Sequence, residues 1–127
     1  MERVRMMECG DGFRRADNAS AGPVAAKTAA YTILPGEQTS VFTNLAAAGS
    51  VTITLPSAVG LTGRRFFFIK ATAGQNLVVA GTIKHNVTPF TLATLTHSTA
   101  DEFAAVEVIA YNSAWHVVNT QGTWAAA

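Results

Sequence analysis

The sequence predicts an all-β protein: a small antiparallel β-sandwich or barrel-like domain of about eight short strands behind an extended N-terminal arm. Three observations predict it. From Tyr31 onward, β-branched and aromatic runs are cut at short intervals by Gly, Pro, Asn or Ser, the pattern of short strands and turns. No stretch sustains a helical period. Nine of the 17 charged side chains crowd into residues 1–27, so the chain divides into a charged leading segment and a charge-poor body.

That division sets the expected organisation, an arm over 1–27 and a β-domain over 28–127. The arm mixes charges with Gly10, Gly12, Gly22 and Pro23 and shows neither alternation nor helical spacing. Pro23-Val-Ala-Ala-Lys-Thr-Ala-Ala30 has the composition for a helical turn, since Ala favours helix and Pro is tolerated at a first helical position. Fully extended, 27 residues reach up to roughly 90 Å. Val4, Met6, Met7 and Phe13 would supply apolar anchors along such an arm, and Arg14 and Arg15 a bidentate grip on carboxylates.

Within the body, strands are expected at 31–34, 40–45, 50–55, 65–71, 76–80, 90–95, 104–111 and 114–120. The breaks between them include Pro35-Gly36, Pro56, Gly74, Gly81 and Asn112-Ser113. In Ser50-Val-Thr-Ile-Thr-Leu55 the alternation is clean, with Val51, Ile53 and Leu55 on one face and hydroxyls on the other. Arg65-Phe-Phe-Phe-Ile-Lys-Ala71 is apolar on both faces and must be covered on both, on one by a facing sheet and on the other by the arm, a loop or, the favoured reading, a neighbouring subunit. The last two strands are separated only by Asn112-Ser113, the strongest short-range hairpin signal in the chain.

Composition bears on function by exclusion. The 127 residues suit one domain. They are 49% hydrophobic and 13% charged, about half the charge of an ordinary soluble domain. Eight charges over the last 100 residues would cover poorly the roughly 6,500 Å² that a monomer of this size exposes, which points to subunit contacts that hide surface. A net charge of +1 argues against direct nucleic-acid binding, which needs a basic stripe to displace counterions. No window has the length of a signal peptide's apolar core or of a membrane span, so the expectation is a protein made in a cytoplasm and kept there until assembly.

The chemistry-bearing residues converge on no reaction. His85, His97 and His116 have neither metal nor triad spacing. Cys9 is the single cysteine and has no ligand cluster beside it. Asp101-Glu102 are neighbours in one loop, whereas paired glycosidase carboxylates must flank a bond from opposite sides. Asn18-Ala-Ser20 and Asn86-Val-Thr88 match a glycosylation pattern that needs a secretory route to be read. No catalytic residue, cofactor or metal is therefore expected. The residues singled out for partner contact are the arm residues Val4, Met6, Met7, Phe13, Arg14 and Arg15, and in the body Arg64, Arg65, Phe66, Phe68, Trp115 and Trp124.

Val106-Glu-Val-Ile-Ala-Tyr-Asn-Ser-Ala-Trp-His-Val-Val-Asn-Thr-Gln-Gly-Thr-Trp124 resembles the C-terminal hairpin of many bacteriophage structural proteins, in which a strand returns through a Trp into alternating valines. Upstream, Val51-Thr-Ile-Thr-Leu-Pro-Ser-Ala58, Gly63-Arg-Arg-Phe-Phe-Phe-Ile-Lys70 and Gln75-Asn-Leu-Val-Val-Ala-Gly81 follow in the order of that family. The resemblance covers residues 31–124 and leaves the arm outside. It implies a virion β-domain of the capsid decoration or tail fibre type, commonly trimeric. With neither internal repeat nor heptad pattern, the length fits a stand-alone decoration protein better than a fibre chain. The expected partners are then other virion proteins, foremost the major capsid protein, and two further copies of the chain. Tail fibre, spike or baseplate service, with exposed aromatics such as Tyr111, Trp115 or Trp124 meeting a host sugar, is the alternative.

Overall fold

The computed structural model describes residues 23–85, 91–98 and 103–127. Among these residues every regular element is a β-strand: β1 (Val24–Ala26), β2 (Tyr31–Thr32), β3 (Val41–Thr43), β4 (Val51–Thr54), β5 (Arg65–Lys70), β6 (Leu77–Lys84), β7 (Thr91–His97), β8 (Ala104–Tyr111), β9 (Ala114–Gln121) and β10 (Ala125–Ala126). No helix is present there that is long and apolar enough to cross a membrane. β1 occupies the stretch whose composition allows a helical turn. Val24 and Ala26 lie in register with Val41 and Thr43, and these cross-strand partners override the weak helical preference of alanine.

The strands form one sheet in the order β1-β3-β5-β8-β9-β6-β4-β2, with β7 on the flank of β6 and β10 on β7. The expectation of an antiparallel domain is corrected: among the described residues five of the nine pairings are parallel. Parallel neighbours need a long crossover, usually a helix. Here each crossover within an arm is a strand of the opposite arm of the sheet. The chain lays β1, β3 and β5 side by side in one arm, alternating with β2, β4 and β6 in the other. Antiparallel β8 then closes the first stack on β5, and antiparallel β7 closes the second on β6.

The two arms join where β9, already paired with β8, meets β6 at Ile83↔Trp115 and Lys84↔His116. Gly81 makes that junction. It was expected to end a strand, but β6 runs on through it with a bulge between Ala80 and Ile83. Its φ is +153°, and a Cβ there would stand 3.1 Å from Leu55 Cβ. A residue without a side chain lets β6 bend from β4 toward β9 without breaking.

The core lies between the arms as one cluster that includes Phe42, Phe66, Phe68, Ile53, Leu77 and Trp115. Tyr31 of β2 packs on Phe42 of β3 at 5.9 Å between ring centroids, and Phe42 stacks on Phe68 at 5.9 Å. Each such aromatic pair adds about 0.5–1.5 kcal/mol beyond the area it buries. The inward positions Val51 and Ile53 follow the alternation of the sequence. The hairpin at Asn112-Ser113 forms with both residues at positive φ, 51° and 62°, as a two-residue turn matching the strand twist requires.

Candidate functional site

The residues singled out for partner contact separate into three groups. Val4, Met6, Met7, Phe13, Arg14 and Arg15 lie outside the described residues, as do Cys9, Asp101 and Glu102. Phe66, Phe68 and Trp115 are 1%, 0% and 1% exposed. They are therefore corrected from interface candidates to core. The reason is register: Phe66 and Phe68 pair with Val108 and Val106, which are themselves fully buried, so this side of β5 faces inward.

Trp115 bridges the junction of the two arms. Its ring lies 5.2 Å from that of Phe66, and its Nε1 donates to the Pro56 carbonyl at 2.7 Å. Trp124 is half-buried, donates through Nε1 to the carbonyls of Ala105 and Gln121 at 3.1 Å, and meets the His97 ring edge-on. Neither indole is a free platform for a sugar. Tyr111 is 62% exposed, with its ring 5.7 Å from that of His116.

Arg64 is committed within the protein. Its guanidinium donates to Ser40 Oγ and to the carbonyls of Glu37 and Thr39 at 2.9 Å, and to the Arg65 carbonyl at 2.7 Å. It also lies over the Phe66 ring at 4.2 Å. The planar fork ties the segment before β3 to the start of β5. Arg64→Ala is expected to cost about 1.5–3 kcal/mol in chemical denaturation, the range for hydrogen bonds to a charged donor. Arg64→Lys should recover less than half of that loss, because a single ammonium cannot span the same acceptors. In the same region the Tyr31 hydroxyl donates to Glu37 Oε1 at 2.5 Å, and this bond to a carboxylate pushes the Tyr31 pKa above its ordinary 10.0.

With these residues accounted for, the outer face of the first arm stands out. The outward row Val24–Val41–Phe67–Glu107–Asn119 crosses β1, β3, β5, β8 and β9 in register, beside the row Ala26–Thr43–Ile69–Ala105–Gln121. Arg65 and Ile109 form the next pair along β5 and β8. Phe67, Ile69, Ile109 and Val41 are half-buried with no facing layer among the described residues, and Val24 is 63% exposed. Two shallow grooves on this face share Phe67: one runs to Asn119, Thr120 and Gln121, the other to Ser40, Arg65 and Glu107. Among the described residues the face carries two charges, Arg65 and Glu107, paired at 3.2 Å. The outer face of the second arm is of another kind, bearing Thr32, Thr52, Thr54, Thr94 and Thr96.

The two apolar faces of β5 are legible in the sequence, but the side left outward is that of Phe67, not that of Phe66 and Phe68. Asn44 was not singled out from sequence; it is buried after β3, and its Oδ1 accepts the amides of Ala71 at 2.7 Å and Thr72 at 3.2 Å. A polar residue within an apolar strand run was the signal for that role. Among the described residues no three His, Cys, Asp or Glu side chains gather as a metal site. No protein-family model matches the chain, and no curated protein matches it either.

Proposed function

We propose that the protein is a structural component of a bacteriophage virion, a homotrimeric capsid decoration protein that binds the major capsid protein through its β-domain and its N-terminal arm. The observation that carries this reading is the charge-poor β-body with an apolar outer sheet face around Phe67 and Ile69. Such a face serves binding by buried area, and a decoration protein works through many shared contacts. The resemblance of residues 31–124 to phage β-domains supports the same setting. Three arms on one trimer would add avidity through effective concentration, so individually weak attachments hold together.

Mixing purified protein with undecorated capsids tests the reading. Saturable decoration is expected, and deletion of residues 1–22 should weaken it by at least about tenfold through lost multivalency. An absence of binding by the full chain excludes the decoration role. Undiminished binding after the deletion excludes the arm's part in it. The exposed Tyr111 favours a second reading, a tail fibre, spike or baseplate subunit that meets host glycan. Specific binding to host cells, lost in Tyr111→Ala, would identify that role.

A further inference from the structure

Resting on the homo-oligomeric part of that reading, we infer that the outer face of β1, β3, β5, β8 and β9 is where copies of this chain meet, with Phe67 at its centre and the Arg65–Glu107 pair re-formed between copies.

The face has the anatomy of a subunit contact. Val24, Val41, Phe67, Ile69 and Ile109 supply an apolar centre, and Asn119, Thr120 and Gln121 a polar edge. The five strands, three to eight residues long, about 4.8 Å apart and rising 3.3 Å per residue, span on the order of 450 Å². That footprint, which already includes the polar edge on β9, is somewhat over half of the roughly 800 Å² that each partner contributes to a stable interface. Among the described residues, the threonine-bearing face of the other arm has only Val78 and Ala80 between its threonines.

Charge selects a copy of the chain over a different protein. Arg65 and Glu107 have side chains 56% and 24% exposed, and an ion pair this exposed contributes little within one chain. Its partners are free to exchange. One charge of each sign beside an apolar centre can close a ring about a three-fold axis: Arg65 of one copy meets Glu107 of the next in a head-to-tail contact, with the Phe67 rings near the axis. A coat protein or the arm would need an independently matched pattern to do the same.

Light scattering on the full chain tests the inference. The parent should have about three times the single-chain mass of 13.3 kDa, and Phe67→Glu should reduce it to a single chain. Because that substitution also perturbs a half-buried site, the surface variants Arg65→Glu and Glu107→Arg give a second test. Each alone should self-associate at least about tenfold more weakly, the effect of 1.4 kcal/mol. Mixed together, the all-negative and all-positive faces should form assemblies containing both chains, whereas a purely intrachain pair predicts none. A single-chain parent, a Phe67→Glu variant that keeps the parent's mass, or mixtures without joint assemblies overturn the inference. Capsid decoration measured in parallel separates the two conclusions. Variants that stay assembled and still decorate capsids overturn this face alone, while a parent that assembles through it and never decorates overturns the virion reading alone.

Discussion

Trp115→Ala is expected to cost about 3–5 kcal/mol, the range for truncating a large buried aromatic, and so to remove much of a domain stability that is typically about 5–15 kcal/mol. The site explains the size of the effect. Trp115 is 1% exposed, packs against Phe66 and stands on β9 opposite Ile83, at the two-residue pairing that joins the arms of the sheet. Truncation opens a cavity at that junction and leaves the Pro56 carbonyl without its indole donor. Trp115→Phe refills most of the volume but not the hydrogen bond, so it should lose roughly 1–3 kcal/mol, the cost of one unsatisfied buried acceptor. Guanidinium unfolding followed by circular dichroism ranks the three proteins. An alanine variant within about 1 kcal/mol of the parent, a loss usual for unremarkable sites, would show that the junction is held by something other than Trp115.

The same residue marks the boundary of what the sequence makes legible. Alternation with period two fixes which side chains share a face, so Val51, Ile53 and Leu55 could be grouped from sequence, and all three are buried. The two-residue break at Asn112-Ser113 likewise identified the β8–β9 hairpin, because local turn geometry sets its register. Neither signal says which strand lies beside which. Parallel pairing in this chain links residues at unequal separations, Val24 with Val41 but Val41 with Phe67, and Tyr31 with Ile53 but Val51 with Leu77. Rungs of unequal length leave no repeat to detect, and an antiparallel meander was the simpler expectation.

The candidate site was half legible for a related reason. A run of three phenylalanines reports that both faces of β5 are covered, but not which face meets the core. Lys70 would place its own side outward by composition, yet it is wholly buried on the side of Phe66 and Phe68. That leaves Phe67 and Ile69 outward, together with Arg65. A surface of this sort arises from register among strands distant in sequence, and no local motif encodes it.

Asn44→Ala should cost about 2–4 kcal/mol, the lower part of the roughly 2–6 kcal/mol that two unsatisfied, fully buried amides would cost, because both bonds are part-buried. Asn44 is fully buried at the end of β3, while Ala71 and Thr72 follow β5, its parallel neighbour. The Asn44 carbonyl also accepts from Thr72 Oγ1 at 2.8 Å, so the residue clamps one rung of the stack to the next. Its Nδ2 has no acceptor among the described residues; the oxygen is therefore the atom that matters. Asn44→Asp keeps that oxygen and adds a charge that the two amides help to stabilise, so at neutral pH it should lose less than the alanine variant. Hydrogen exchange at the amides of Ala71 and Thr72 should accelerate in Asn44→Ala and stay near the parent's rate in Asn44→Asp. Equal protection of those amides in both variants would mean that the β3–β5 step is held by the strand ladder alone.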